Sequence, residues 1–369
     1  MRVAINALLL SGRYSGVERA ILALLRHIGE EAEGDEFVAL VGNDFDEREL
    51  EGCGVQVRRL PVTNRSRLVR ILYEEWGLPR RLKGFDLFHA PGYVAPRLPI
   101  PTVLTVYDLV ALRHPRLARR TNAIHYRWRL PRAASRAARI LVPTESVAAD
   151  VVEFLGVERQ RVRVVPLGVE AHFRPPSREQ RASARTRYHL DRPFLLFVGN
   201  LEPKKNLSTL IRAFARLRAG GLPHELVIAG KRGWRCRDVL RLPARLGLAD
   251  SVRLIGYVAE SDLPALYGAS ELFVFPSLVE GFGLPPLEAM ACGVPVVTSD
   301  APALVETTGE AAVHVPARDA EGLAEAIRAL LADPERRGTL REAGLAHAAG
   351  FTWAAAAAAT RAVYREVCS

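Results

Sequence analysis

Short apolar runs bounded by glycine, proline or aspartate recur along the chain, and stretches with apolar residues at helical spacing lie between most of them. Residues 2–7 read as a first strand, followed by a loop at 11–16 and a helix at 17–28. Residues 37–41, 85–90, 102–107, 140–143 and 162–166 have the length and unbroken apolar character of buried strands. The pattern breaks at 171–191, a polar stretch containing Pro175 and Pro176 that reads as a linker with at most one short helix. It resumes with strands at 194–199, 225–229, 252–255, 272–276 and 295–298, and helices at 207–218, 262–269 and 285–292. The alanine-rich tail, 353–367, is a strong helix former. Alternating strands and helices build parallel sheets. The pattern therefore predicts an α/β protein of two Rossmann-like units, with ligands at the carboxyl ends of the strands. The boundaries are 1–172, a linker at 173–190, 191–351, and a final helix at 352–369.

A chain of 369 residues suits two domains. Cys53, Cys236, Cys292 and Cys368 show no CxxC or other metal spacing. That argues against a disulfide framework or a zinc site and for a reducing, cytoplasmic setting. The apolar part of the first residues is short for a secretory signal and runs into a glycine loop, not a cleavage site. No apolar stretch approaches the roughly 18 residues of a spanning helix.

The net charge is +10, and nearly all the cations are arginine. Lysine occurs only at 83, 204, 205 and 231, so the adjacent pair Lys204 and Lys205 stands out. Residues 109–144 contain no Asp or Glu, yet hold Arg113, Arg116, Arg119, Arg120, Arg127, Arg129, Arg132, Arg136 and Arg139, interleaved with Leu, Ile, Tyr126 and Trp128. This composition suits peripheral contact with anionic lipid at the inner face of a membrane, and equally a solvated helix face. No nucleic-acid recognition motif is present.

The most specific segment follows the strand at 272–276. Glu280-Gly-Phe-Gly-Leu-Pro-Pro-Leu-Glu288 places two carboxylates around two glycines and a proline pair that opens a helix. Glycine lets a backbone approach a ligand, proline suits a first helical turn, and a helix N-terminus attracts phosphate. Glu280 is expected on the loop and Glu288 in the first turn, both facing one ligand. A bare turn with a dipole-favouring glutamate is the alternative. A second element, Asn200-Leu-Glu-Pro-Lys-Lys-Asn206, ends a strand and begins a helix, with Asn206 in the role of N-cap. An ammonium there neutralises a diphosphate leaving group, or is simply a surface charge.

These segments, with FPSLVEGFGLPPLEAMACGVPVVTSD around the first, resemble glycosyltransferase family 4, whose fold is GT-B: two facing Rossmann-like domains with a deep interdomain cleft. The resemblance implies that Glu280 contacts donor-sugar hydroxyls, that Glu288 binds ribose, and that the amides of Gly281, Phe282, Gly283 and Leu284 approach the diphosphate and sugar. Lys205 is then the phosphate ligand, with Lys204 the alternative. Asn200 stands where many members carry arginine. Gly12 and Gly16 form no GxGxxG, and Gly16 is the closest equivalent of the family's N-terminal glycine loop. Thr105-Val-Tyr-Asp-Leu109 resembles a T-x-H-D-L segment with Tyr107 in place of histidine. Tyr107 is left as a hydrogen-bond donor toward sugar or acceptor. Asp108 either positions an acceptor hydroxyl or caps the next turn, and His89 either faces the cleft or is structural.

The family transfers sugar with retention, without an established enzymic nucleophile and with no DxD metal motif here, so no essential metal is expected. GNLEPKKN and the downstream AGKRGW look most like the bacterial mannosyltransferase branch, which favours GDP-mannose as donor and a carbohydrate or lipid-linked acceptor. The competing expectations are a nucleotide-sugar epimerase on the same scaffold, a non-catalytic basic binding protein, and a nucleic-acid binder with a vestigial sugar site.

Overall fold

The computed structural model describes residues 1–10, 16–30, 32, 34–63 and 66–369, with Asn122 described in backbone only. The chain divides into two compact units, Met1–Gly168 with Thr352–Ser369, and Val169–Phe351.

The first unit is built on seven parallel strands: β1 (Arg2–Asn6), β2 (Glu36–Val41), β3 (Gln56–Arg59), β4 (Leu87–Ala90), β5 (Thr102–Thr105), β6 (Arg139–Val142) and β7 (Val162–Val164), in the order β3-β2-β1-β4-β5-β6-β7. The second has six: β8 (Phe194–Val198), β9 (Glu225–Ala229), β10 (Val252–Gly256), β11 (Leu272–Phe275), β12 (Val296–Ser299) and β13 (Ala312–Val315), in the order β10-β9-β8-β11-β12-β13. All ladders are parallel. Covered on both faces, the central strands need apolar residues on both sides, so β1 and β11 read as continuous runs and are buried throughout their apolar residues. The strands missing from the sequence prediction, β3 and β13, lie at sheet edges. There β3 is mostly exposed and carries charge, as edge strands do to avoid pairing with other chains.

In each unit the strand order reverses beside the first strand, between β1 and β4 and between β8 and β11. Such a reversal opens a crevice beyond the strand ends, the usual ligand seat of a doubly wound sheet.

The segment 173–190 is a docked part of the second unit, not a linker. It holds the helix Arg178–Arg187, opened by a capping box between Ser177 and Gln180. Its Pro176 packs where Gly268 has no side chain: a Cβ there would meet Pro176 Cγ at 2.3 Å. The chain end, Trp353–Cys368, packs in the first unit, where Ala356, Ala357, Thr360 and Tyr364 are buried. Alanines on that face let the helix approach closely. No helix among the described residues is long and apolar enough to cross a membrane.

Candidate active site

In the second unit the segments that follow β8, β9 and β11 are stitched together by short-range backbone contacts. Gly230, at the end of β9, has φ 151° and sits so close to Gly199 that a Cβ would come within 1.9 Å of the Gly199 carbonyl oxygen. Only glycine permits that approach. Beyond it, Pro203–Lys205 forms one 3-10 turn and Asn206 takes a left-handed conformation, φ 54°. Asn206 does not cap the helix Leu207–Ala219 through its side chain. Its amide instead donates to the carbonyls of Pro276 at 3.0 Å and Ala317 at 2.5 Å, and its oxygen accepts from the Thr209 hydroxyl at 2.8 Å. The amide of Leu278 donates to the Lys204 carbonyl at 2.8 Å. The loops after β8, β11 and β13 are thus locked to one another, which fixes where the two lysines point.

Both lysines converge on Glu280. Lys205 Nζ lies 2.6 Å from Oε1 and Lys204 Nζ lies 3.4 Å from Oε2. The Lys205 ammonium also stands 4.5 Å from the centre of the Phe275 ring, a favourable cation–π placement. The Lys205 and Glu280 side chains are only 12% and 9% exposed, so screening by solvent is weak. Burial pushes the Glu280 carboxyl up, but the two ammonium groups outweigh it and hold the group down at about 2. Burial, and next to it Lys204, push the Lys205 ammonium below its ordinary value against the pull of Glu280. At neutral pH Glu280 is therefore an ionised group that can only accept hydrogen bonds. Sugar hydroxyls, which donate, are suitable partners.

The loop Gly281, Phe282, Gly283 leads into the helix Leu284–Ala291. The Phe282 ring is buried edge-on against Phe351, centroids 5.9 Å apart; its backbone is the part a ligand could use. Gly283 has φ 111°, and a Cβ there would meet Leu304 Cδ2 at 2.5 Å. The helix start is a poorer phosphate seat than the sequence suggested. Pro285 and Pro286 carry no N–H, so the donors within reach are the amides of the loop and of Leu284.

Glu288 is also placed differently from the expectation. It is the fifth residue of its helix, beyond the first turn, and is 2% exposed. It accepts a hydrogen bond from the Tyr267 hydroxyl at 2.9 Å. Tyr267 is itself fully buried and packs edge-on against Phe273. Nothing in local spacing signals a partner 21 residues away. Asn200, two residues beyond β8, is an exposed residue whose carbonyl accepts from the Glu202 amide at 2.8 Å.

In the first unit, Gly16 is the first residue of the helix Gly16–Ile28 and is exposed, with open space where a Cβ would lie. Gly12 and the rest of the expected glycine loop fall outside the described residues. Tyr107 is 8% exposed and packs edge-on against Tyr93, centroids 5.8 Å apart, and burial raises its phenol. Asp108 Oδ1 accepts from the Val110 amide at 3.1 Å, the turn-capping alternative. His89 is wholly buried, with Nε2 2.7 Å from Thr105 Oγ1 and Nδ1 2.6 Å from the Tyr364 hydroxyl. Burial depresses its imidazole to about 3, so it is a neutral core residue that ties the last helix to the sheet, not a ligand contact. Among the described residues, no three His, Cys, Asp or Glu side chains are disposed to hold a metal ion.

Comparison with known proteins agrees with this arrangement. Residues 14–173 match the model for Glycosyltransferase Family 4, and residues 179–347 that for Glycosyl transferases group 1. The chain is 29% identical over 300 residues to the O-antigen chain mannosyltransferase B of Escherichia coli, covering 80% of this chain and 78% of that one. It is 32% identical over 344 residues to D-inositol 3-phosphate glycosyltransferase 1 of Catenulispora acidiphila, covering 86% and 82%. Among solved structures, HepE of Anabaena, determined in complex with UDP-glucose, superposes with a TM-score of 0.78 at 20% identity over 99% of this chain and 100% of that one. With its paired doubly wound units, its Glu280–Glu288 segment and its lysine pair, the chain belongs to glycosyltransferase family 4, and its fold is GT-B.

Proposed function

We propose that this glycosyltransferase moves a hexose, mannose by preference, from a nucleoside diphosphate sugar to a hydroxyl of a glycan, a glycolipid or a small molecule, with retention at the anomeric carbon. The observation that carries the proposal is the Lys204–Glu280–Lys205 cluster at the β8/β11 crevice, beside the amides of residues 281–284. Two buried-edge ammonium groups and several N–H donors suit a diphosphate, and an ionised carboxylate among them suits sugar hydroxyls. A diphosphate entering there draws Lys205 and Lys204 into its own field, and Glu280 holds them in place.

In the proposed step the bond from the anomeric carbon to the phosphate oxygen breaks, its electron pair leaving on the diphosphate. The acceptor oxygen bonds to that carbon on the same face, and its proton passes to the departing phosphate oxygen. Lys205, Lys204 and the loop amides stabilise the charge that develops on the leaving group, each well-aimed donor contributing roughly 3–4 kcal/mol. Both Glu280 oxygens face an ammonium group, which makes that carboxylate a poor nucleophile and supports transfer without a covalent intermediate. No essential metal enters the scheme. Glu288 is assigned to the ribose. Asp108 is assigned to the acceptor side together with Tyr107.

GDP-mannose is the favoured donor on the resemblance of GNLEPKKN and AGKRGW to the bacterial mannosyltransferase branch, and the similarity to O-antigen chain mannosyltransferase B supports mannose as the sugar. The match to a D-inositol 3-phosphate glycosyltransferase over most of both chains favours including a polyol phosphate among the acceptors tested. Four free thiols, Cys53, Cys236, Cys292 and Cys368, fit work in a reducing cytoplasm.

The test is to incubate purified protein with GDP-mannose, UDP-glucose or ADP-glucose and a panel of glycan, glycolipid and inositol phosphate acceptors, then assign products by NMR. A glycoside with the donor's anomeric configuration is expected. An inverted product overturns retention, and an isomerised donor without transfer identifies an epimerase.

A further inference from the structure

Six of the eleven large apolar side chains exposed among the described residues lie on two neighbouring helical segments of the first unit. In the helix Arg67–Leu72 and the π-turn Tyr73–Gly77, Leu68, Leu72 and Trp76 are 73%, 59% and 69% exposed and recur every four residues. In the helix Arg120–Arg136, Ile124 and Trp128 are 62% and 61% exposed, again four apart. Residues at that spacing share a helix face. An ion pair between Glu75 and Arg129 joins the segments, and these residues are the chain neighbours of Trp76 and Trp128.

The charge on this surface is one-sided. Glu74 is 5% exposed and turned inward, accepting from Asn6 Nδ2 at 3.2 Å and lying 3.9 Å from Arg70. Glu75 is taken by Arg129, and the helix Arg120–Arg136 contains no acid. Arg80, Arg127 and Arg132 are exposed. The Arg132 guanidinium stands 5.7 Å over the Trp128 ring, and Arg80 Nη1 donates to the Trp76 carbonyl at 2.9 Å. The cationic density is felt by His125, whose imidazole is brought down to about 4 by burial and then by Arg67, Arg129 and Arg70.

The arginine-rich stretch expected from the sequence is thereby narrowed. Arg113 is engaged by Asp150 and Arg139 by Glu366, so residues 113–139 do not form one basic face. The face that remains includes a segment, 67–77, that the sequence reading did not single out.

We propose that this face docks the first unit on an anionic lipid bilayer. Trp76 and Trp128 lodge at the headgroup level with Leu68, Leu72 and Ile124 below them, and the exposed arginines meet lipid phosphates. Exposed tryptophan and aliphatic side chains set among arginines match both parts of a bilayer interface, the apolar boundary and the negative surface. Nucleic acid would use the arginines but leave the leucine and isoleucine in water. Docking does not depend on which sugar is transferred.

The test uses the full chain without any sugar nucleotide, so its outcome is independent of transferase activity. Protein is sedimented with vesicles of phosphatidylcholine alone and of phosphatidylcholine mixed with phosphatidylglycerol, over a salt series. Wild type is expected to pellet with the anionic vesicles, to show a blue-shifted tryptophan emission there, and to be released as salt rises. Trp76→Ala with Trp128→Ala, and separately Arg127→Glu with Arg132→Glu, are expected to lower the partition about ten-fold or more with unchanged circular dichroism. Equal binding to neutral vesicles, no binding to either, or undiminished binding by both variants overturns the proposal. So does concentration-dependent dimerisation by light scattering that the tryptophan variant abolishes, which assigns the face to a second copy of the chain.

Discussion

Lys205 Nζ lies 2.6 Å from Glu280 Oε1, although the two residues are 75 positions apart and come from the ends of adjacent parallel strands. The pair is nearly closed to solvent, and Lys204 completes it from the other side. In the proposed reaction these three residues act as one unit on the leaving group and the sugar.

Residues that act as a unit give non-additive losses. Lys205→Ala is expected to lower kcat by about 100–1000-fold, the scale of removing one preorganised donor. Glu280→Gln is expected to lower kcat/KM by a similar factor. The double variant should lose little more than the worse single variant. Steady-state kinetics on all three, with the same acceptor, checks this. Strictly multiplicative losses would separate the two roles.

Stability in acid should follow Glu280. Its folded carboxyl titrates at about 2 against an ordinary 4.5. Between these values the unfolded chain binds the extra proton, so the stabilisation is full above 4.5 and is lost as pH falls toward 2. The contribution is about 3 kcal/mol. Urea unfolding of wild type and Glu280→Gln across this window should show the variant with the shallower pH dependence.

His89 predicts a second acid transition, located in the first unit. Its imidazole titrates at about 3 when folded and near 6.5 in the free chain. The unfolded state therefore binds more protons from 6.5 down to 3, and stability falls as pH drops through that range. His89→Gln should flatten the slope of unfolding free energy most clearly between about 6.5 and 4.5, above the range in which Glu280 titrates. Near-UV circular dichroism in urea at several pH values measures it.

Gly283→Ala tests the backbone requirement. The φ of 111° strains any residue that carries a Cβ, and the 2.5 Å approach requires the Leu304 methyl to shift. A cost on the order of 1–3 kcal/mol is expected, with a raised donor KM because the loop amides shift. Tyr267→Phe, which removes only the hydroxyl 2.9 Å from Glu288, should cost about 1–3 kcal/mol and raise donor KM more than it lowers kcat. Thermal unfolding together with donor titration of the rate distinguishes the two variants.

If ammonium groups and amides alone stabilise the diphosphate, chelation should not matter. Turnover after dialysis against EDTA is expected to match the untreated rate. A loss restored by magnesium or manganese would give a cation the role assigned to Lys205.

Much of the second unit was legible because parallel strands buried on both faces leave unbroken apolar runs, and the acids and lysines follow those runs directly. Glu280, Lys204 and Lys205 are assigned to one site through the family resemblance; that their segments end neighbouring strands is what the structure adds. The edge strand β3 was illegible because its residues need not be apolar, and β13 because its run of four residues is short and interrupted by His314. Asn206 looked like a cap, since asparagine before a helix usually is one; its use as a clamp depends on carbonyls 70 and 111 residues away. Pro285 and Pro286 could have been read as lost donors from the sequence alone. His89 sits in a strand, and its burial depends on Tyr364, 275 residues away, which local spacing does not signal.

The most direct measurement is calorimetric titration of GDP-mannose, UDP-glucose and free GDP into wild type and Lys205→Ala, without acceptor. Wild type is expected to bind one nucleoside diphosphate sugar in preference to the others. Lys205→Ala should bind the same compound at least about ten-fold more weakly, the loss of one charge-assisted contact. Undiminished affinity in the variant, or no binding of any sugar nucleotide by folded wild type, would contradict the assignment of the Lys204–Glu280–Lys205 cluster as the donor seat.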